Sequence, residues 1–435
     1  MTTSQRKLGI AMLGIGVGGT EMLPAFEQME TLDLVAGADL NPLTRERFTQ
    51  RYEAQAYESV ETLCEDKAVE AVWVSTPNRF HAEHAIYVME HGKHVIVEKP
   101  MALNLEQAQK MIETSKRTGQ VLIAGHTRSF IPPFRKMYNI IQSGQLGAVK
   151  SINFWAYTDW LLRPRSAEEL DMAQGGGLVM RQGPHQIDTV RLLGGGMVKN
   201  VRGFVGQWMP ERPIPGYYSA LFEFESGAVA NIVHDSHGYF MGGLLVPWGA
   251  NSQRYDEDER RLVRDGMAAG TRDEENDKQD IRIGGAREVE IFKREGDNRD
   301  VGGEAWKPAE PGFIVVSCER GNITRTGYGI MIWDDKGHHE IDLKPPGGWA
   351  MNRRAELQEL YDAVVHGAPV YHTGEWGLAT LEATLAITES SKTGKLIELK
   401  HQVPPVPDYG DAKIFDLPPD QAGVRLDEPS VYQGM

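Results

Sequence analysis

The stretch Leu8-Gly-Ile-Ala-Met-Leu13-Gly14-Ile15-Gly16-Val17-Gly-Gly19 joins an apolar run to three glycines spaced G-x-G-x-x-G. The run suits a buried strand, and residues 21–29 after it suit a helix. In that context the glycines permit a tight turn and let the backbone approach a pyrophosphate seated on the helix N-terminus. Alone, glycines at this spacing can serve only as a turn. Asp39 adds weight, because it follows a second apolar run about 20 residues on, where a carboxylate accepts hydrogen bonds from an adenosine ribose. Leu40-Asn41 follows it rather than an arginine. A carboxylate there repels a 2′-phosphate, so NAD is favoured over NADP, with Arg45 and Arg47 close enough to keep NADP in view.

Further apolar runs at 34–38, 71–74, 94–97 and 121–124 alternate with amphipathic segments at 42–52, 81–91 and 105–118. Such alternation predicts a doubly wound α/β domain with a parallel sheet. Ligands of these sheets bind beyond the carboxyl ends of the strands. Thr76 and Asn78 close one strand, and Glu98 and Lys99 close another, although both could be simple turns. Pro132-Pro133 marks a break before a helical stretch at 135–142. From about 150 the pattern changes to aromatic and β-branched runs at 151–157, 198–208, 217–225 and 228–233, which predict a mostly antiparallel sheet. Helices return at 352–365 and 376–392, the second closed by Thr393-Gly394. The expected division is residues 1–126, 127–400 and a Pro-rich tail at 401–435. Residues 251–310, dense in charge and poor in core residues, read as an exposed insertion with a charged helix at 255–264.

Between the glycines at 175–177 and 194–196, Arg181, His185 and Asp188 fall at i, i+4 and i+7, on one helical face. A cation, a titratable imidazole and a carboxylate stacked together suit the wall of a reaction site, though a solvated polar face has the same spacing. Gly183-Pro184 inside the segment implies either a kink or a fresh helix start.

The chain has 435 residues and a net charge of -15, which predicts two domains and argues against nucleic acid and anionic membranes as partners. Two cysteines, Cys64 and Cys318, form neither a disulfide framework nor a metal site, and a cytoplasmic location is expected. His81 and His84 lack third and fourth companions at ligand spacing, so no metal is expected. His338-His339 read as a solvated turn.

Taken together these residues resemble the Gfo/Idh/MocA oxidoreductase family. The resemblance rests on the glycine strand, Thr76-Pro77-Asn78 with His81, the run from Gly92 to Pro100 containing Glu98-Lys99, Gly125-His126-Thr-Arg128-Ser-Phe130, and the triple-glycine helix with His185 and Asp188. It covers most of residues 7–240 and the helix around 376–394. It implies an N-terminal Rossmann domain and a C-terminal α+β domain on an open, mostly antiparallel sheet, with homodimers or homotetramers built on that sheet. It places His81 beside the cofactor and makes Lys99 the active-site lysine and His185 the catalytic histidine. His185 is expected to act as base and Lys99 to hydrogen-bond the reacting oxygen, stabilise its developing negative charge and relay the proton, with Asp188 orienting the imidazole and His126 as a neighbour or a packed residue. One departure matters: many sugar dehydrogenases of the family carry an aspartate four residues before the histidine, where this chain has Arg181. An arginine suits a carboxylate, which it grips with two parallel hydrogen bonds. Arg163 and Arg165 in the preceding segment, with Arg128, extend the expectation to a small anionic substrate, although Arg163 and Arg165 singly suit ion pairs with Glu168, Glu169 or Asp171. The arginine-bearing strings are similar to the phthalate cis-dihydrodiol dehydrogenase branch, which implies NAD-dependent oxidation of a carboxylated cis-dihydrodiol to a catechol. A sugar, inositol or sugar-acid dehydrogenase and a non-catalytic dinucleotide-binding regulator remain the alternatives.

Overall fold

Every residue of β1 (Leu8–Leu13) is buried, as an unbroken apolar run requires of a strand covered on both faces. The structure is a computed structural model that describes residues 6–245, 255, 257–287, 312–326, 329–343 and 350–406. With β2 (Leu32–Ala38), β3 (Gln55–Tyr57), β4 (Ala71–Val74), β5 (His94–Glu98) and β6 (Leu122–Gly125), β1 forms a parallel sheet in the order β3-β2-β1-β4-β5-β6. The reversal of strand order at β1/β4 opens a crevice beyond the strand ends. Helices α1 (Val17–Glu27), α2 (Pro42–Tyr52), α3 (Val60–Glu65), α4 (His81–Glu90) and α5 (Leu105–Thr118) cover the sheet. Their ends follow local chemistry: Asn41 caps α2 with Pro42 in the first turn, and Asn104 caps α5, which stops at Gly119 in the left-handed region. The Rossmann expectation is met. Only β3 and α3, too short to carry a period, lack a counterpart in the sequence reading.

The second body begins with α6 (Pro132–Gln142), β7 (Val149–Tyr157) and α7 (Leu178–Gly194), followed by β8 (Val198–Gly206), β9 (Tyr217–Phe224) and β10 (Val229–Asp235). After α8 (Glu257–Ala268) and α9 (Glu274–Asp280) come β11 (Phe313–Cys318), β12 (Gly321–Arg325), β13 (Gly329–Asp334) and β14 (Gly337–Asp342). The chain ends in α10 (Ala350–His366), α11 (Gly374–Thr393) and β15 (Ile397–Glu398). The sheet order is β14-β13-β12-β11-β7-β10-β9-β8-β15, antiparallel except for β7 and β10, which pair with Val229 beside Ser151. The meander β11–β14 has no counterpart in the sequence reading. It places His338 and His339 in a strand opposite Trp333 and Ile332, not in a turn.

α7 runs unbroken through Pro184. No fresh helix starts at Pro184, and only Arg181, Gln182 and Gly194 of α7 escape burial. Burial on nearly all sides offsets the ~3 kcal/mol an interior proline costs. α11 joins the two bodies. Its Leu378 and Leu381 pack in a core of the first domain, and its Trp376, Ala383 and Ile387 pack in that of the second.

The charged insertion is not simply an exposed arm. A helix forms near its expected place (α8), but Ile281 and Ile283, after α9, are each 1% exposed. Ile283 enters the core around Phe48, and the Arg47 guanidinium donates to its carbonyl at 3.1 Å. The apolar contacts were hidden in the sequence because two isoleucines among so many charges make no periodic signal. Residues 288–310 of that segment and the tail beyond residue 406 lie outside the described residues. Among the described residues, no helix is long and apolar enough to cross a membrane.

Candidate active site

The glycine turn is built for a close ligand. Gly14 has φ +91°, and a Cβ there would lie 2.8 Å from the Ser75 backbone. A Cβ on Gly19 would come within 2.5 Å of the Gly14 carbonyl oxygen, so α1 could not pack on the turn. Gly16 caps α1 without a side-chain bond, the first turn holds no acidic residue, and Cβ atoms on Gly16 and Gly18 would meet only open space. Free amide groups at a helix start beside an uncrowded backbone fit a dinucleotide pyrophosphate. Asp39 accepts from the amides of Ile15 (2.9 Å) and Asn41 (2.8 Å), which fixes its carboxylate at the end of β2. Arg45 donates to the carbonyls of Asp39 and Leu40, next to that carboxylate.

The ends of β4 and β5 hold the remaining expected cofactor residues, in different ways. Asn78 is buried and its amide donates to the Gly175 carbonyl (3.0 Å), tying the Rossmann turn to the glycines before α7. The Thr76 hydroxyl pairs with His84. His81 is 1% exposed, with Nδ1 at 2.8 Å from the Pro100 carbonyl and Nε2 at 2.7 Å from that of Thr76. That ring braces two turns against each other instead of presenting a nitrogen to a ligand.

Beyond these turns lies a cleft of about 800 Å³, open solvent included, with Val17 and Gly18 of α1 on one side. Lys99, Arg181 and His185 all line it, as do Arg128, Arg163 and Arg165. The three-residue face of α7 therefore splits: Arg181 and His185 face the cleft, whereas Asp188 is fully buried and accepts from the Trp376 indole at 2.6 Å. This corrects the expectation that Asp188 orients His185. A partner on α11, far away in sequence, takes the carboxylate first. His126 is also buried, with neither ring nitrogen bonded to protein, and desolvation brings it down to about 4. It is a packed histidine.

Seven lysine or arginine side chains line the cleft against three carboxylates. Lys99 is half-buried and donates to the Arg181 carbonyl at 3.3 Å. Desolvation, reinforced by Arg181 and Arg353 against the pull of Glu98, lowers its ammonium to about 8. Desolvation and the cations Lys99, Arg128 and Arg353 hold His185 well below its ordinary value, so the imidazole is neutral at pH 7. Desolvation lowers Arg181 to about 10, still a cation, and its guanidinium reaches Glu169 at 2.8 Å. Arg163 pairs with Asp159, and Arg165 stacks 3.7 Å over the Trp160 ring and bonds the Trp160 carbonyl. Both thus meet acids or carbonyls of their own segment while still bordering the cleft.

Two participants escaped the sequence reading. Arg353 of α10 donates to Glu98 (2.8 Å) and the Thr127 hydroxyl (2.9 Å), and meets Glu21 of α1 at 3.3 Å. It holds the end of β5, and so Lys99, against the cofactor helix. Lys278 of α9 lines the cleft and pairs with Glu169. No local pattern marks either, since a single charge on a helix is ordinary. Among the described residues no cluster of His, Cys, Asp or Glu could hold a metal ion.

A bare glycine turn under an uncapped helix, facing a lysine brought close to neutral pH, defines a dinucleotide-dependent oxidoreductase. Residues 8–126 match the model of an oxidoreductase family with an NAD-binding Rossmann fold, and residues 134–238 match the Gfo/Idh/MocA C-terminal domain. The 1-carboxy-3-chloro-3,4-dihydroxycyclohexa-1,5-diene dehydrogenase of Comamonas testosteroni is 34% identical over 88% of this chain and 94% of its own. The chain belongs to the Gfo/Idh/MocA oxidoreductase family. The 4-carboxy-2-hydroxymuconate-6-semialdehyde dehydrogenase of a Sphingobium species is 28% identical over 51% of this chain and 70% of its own. A crystal structure from Bordetella bronchiseptica RB50 superposes with a TM-score of 0.80 at 31% identity, over 90% of this chain and all of that one. The fold alone is shared with levoglucosan dehydrogenase in its complex with NADH and levoglucosan (TM-score 0.69, 17% identity, 90% of this chain and 99% of that one).

Proposed function

We propose that the protein is an NAD-dependent dehydrogenase that oxidises a carboxylated cis-dihydrodiol, of the phthalate dihydrodiol type, to the corresponding catechol. The cationic cleft around Lys99 carries this reading: in a chain of net charge -15, its excess of cations suits an anionic substrate. The Comamonas relative, which acts on a carboxylated ring diol, supports it. NAD, when bound on the glycine turn, supplies the hydride acceptor for the carbinol carbon. The chain supplies the rest. Arg181, helped by Arg128, Arg163 or Arg165, holds the substrate carboxylates and so aims the carbinol hydrogen. The hydroxyl proton goes to Lys99 Nζ, and the resulting hydroxy-dienone tautomerises to the catechol, with aromaticity driving the step forward.

This assignment exchanges the roles first expected of Lys99 and His185. A base works best with a pKa near the working pH. His185, held well below its ordinary value, is a weak base, whereas Lys99 at about 8 is matched to the task. His185 remains a catalytic residue as a neutral hydrogen-bond acceptor that orients the diol. Arg181→Ala is expected to raise KM for the acid diol about 10- to 100-fold, the worth of a charge-assisted hydrogen bond, with kcat changed far less. A steady-state KM equal to that of the parent protein speaks against the carboxylate role.

Asp39 supports NAD over NADP, since a carboxylate held by two amides just after β2 repels a 2′-phosphate. Asp39→Gly is expected to shrink the preference for NAD over NADP about tenfold or more, as measured by the ratio of kcat/KM values. A substrate panel with sugar acids and polyols separates this reading from the other dehydrogenase activities of the family. Turnover of any of them removes the non-catalytic reading. The outer face of the second sheet, with Phe204 and Leu221 exposed, supports a homodimer or homotetramer.

A further inference from the structure

Lys278 stands on the short helix α9, outside both stretches that match the family models. Its neighbourhood is nonetheless firmly docked. Glu274 of α9 accepts from the Arg165 amide (2.8 Å) and pairs with Arg212 at 2.7 Å. Arg272, just before α9, donates to the Leu162 carbonyl and to Asp277. Just after it, Ile281 lines the cleft and Ile283 is locked into the first domain. The helix therefore bridges the two bodies beside the cleft and is held at both ends.

The side chain it delivers is 8% exposed and meets a carboxylate that is itself fixed. Glu169 Oε2 accepts from the Ser166 amide (2.9 Å) and from Lys278, while Oε1 meets Arg181 at 2.8 Å and Arg165 at 3.4 Å. Glu169 is thus a positioning residue that holds three cations side by side. All three also line the cleft. Three cations ordered around one acid give a positive wall that is preorganised before any ligand arrives, which lowers the cost of binding. A single carboxylate needs one such partner, and two carboxylates on one ring need more than Arg181 alone.

We propose that the insertion supplies a specificity-determining residue, Lys278, which with Arg165 and Arg181 on the Glu169 pivot receives the second carboxylate of a dicarboxylic substrate. This rests on the carboxylate reading given above and deepens it: the charged insertion sets the number of acid groups the site accepts.

The test is calorimetric titration of the full-length protein, loaded with NADH, with phthalate and with benzoate as probes. The unsubstituted protein is expected to bind phthalate more tightly than benzoate. Lys278→Gln is expected to lose about tenfold or more of that difference, and Lys278→Arg to keep most of it, as the loss or retention of one charged hydrogen bond implies. Lys278→Met, which keeps the apolar stem, is measured alongside in case the glutamine variant fails to fold, and unchanged NADH affinity identifies a folded variant. Equal discrimination in the parent protein and in the folded Gln or Met variant overturns the role of Lys278 while leaving the carboxylate reading intact. Binding of neither acid by the unsubstituted protein overturns that reading and the role of Lys278 with it.

Discussion

Lys99→Met is expected to lower kcat by about three orders of magnitude, within the range of removing a general base, while NAD binding is retained. The site predicts the pH dependence as well. The proton acceptor must be uncharged, so kcat/KM of the parent protein should climb as pH rises towards about 8 and level off above it. A profile that instead falls through that pH would assign Lys99 the charged, oxyanion-stabilising role and return the proton to His185. Stability supplies a second readout. A lysine lowered from 10.5 to about 8 binds fewer protons folded than unfolded between those values, so its burden on stability is complete below about 8 and relieved as pH rises through the window. Removing the side chain should therefore stabilise the protein at pH 7, by at most ~3 kcal/mol. An inactive variant with a raised melting temperature separates a catalytic lysine from a structural one.

Arg353→Met is expected to have the largest effect on stability, a loss of about 3–5 kcal/mol, because it leaves buried carboxylates without their cation. Glu98 and Glu21 both meet that guanidinium, and Glu356 lies 3.8 Å from it. Desolvation already raises Glu356 from 4.5 to about 8, with Arg353 opposing the rise. A carboxyl raised on folding holds its proton longer in the folded state, so its contribution is complete below 4.5 and is lost as pH climbs to about 8. Without Arg353 that loss deepens, so melting temperatures of the variant and the parent should diverge as pH rises from 5 to 8. Parallel curves across that range would show that Arg353 does not govern the cluster. Since Arg353 also helps lower Lys99, the variant's activity profile should move to higher pH.

What the amino-acid sequence shows of this site depends on the distance between partners along the chain. Gly14, Gly16 and Gly19 lie within one turn, Asp39 ends the next strand, and Arg181 and His185 are one helical turn apart. Such spacings are local, and local geometry fixes what they can build. The contacts of Asp188 and His81 have the complementary origin. The Trp376 indole, 188 residues away, took Asp188, and two backbone carbonyls took His81. The strands β11–β14 escaped because they are short and follow a charged stretch that dominates the composition around them.

A dinucleotide-binding α/β domain, a family, and the lysine, histidine and arginine of a candidate site can all be read from the chain, since each is marked by spacing along one element. What those groups are worth comes from how the chain packs around them. Burial beside Arg181 and Arg353 brings Lys99 to about 8 and keeps His185 uncharged, and desolvation is a property of the packed protein, not of the residue. Tertiary contacts alone carry Arg353 to Glu98 across 255 residues, and turn the charged insertion into the wall that bears Lys278. A charge on a helix has no partner until the chain folds around it.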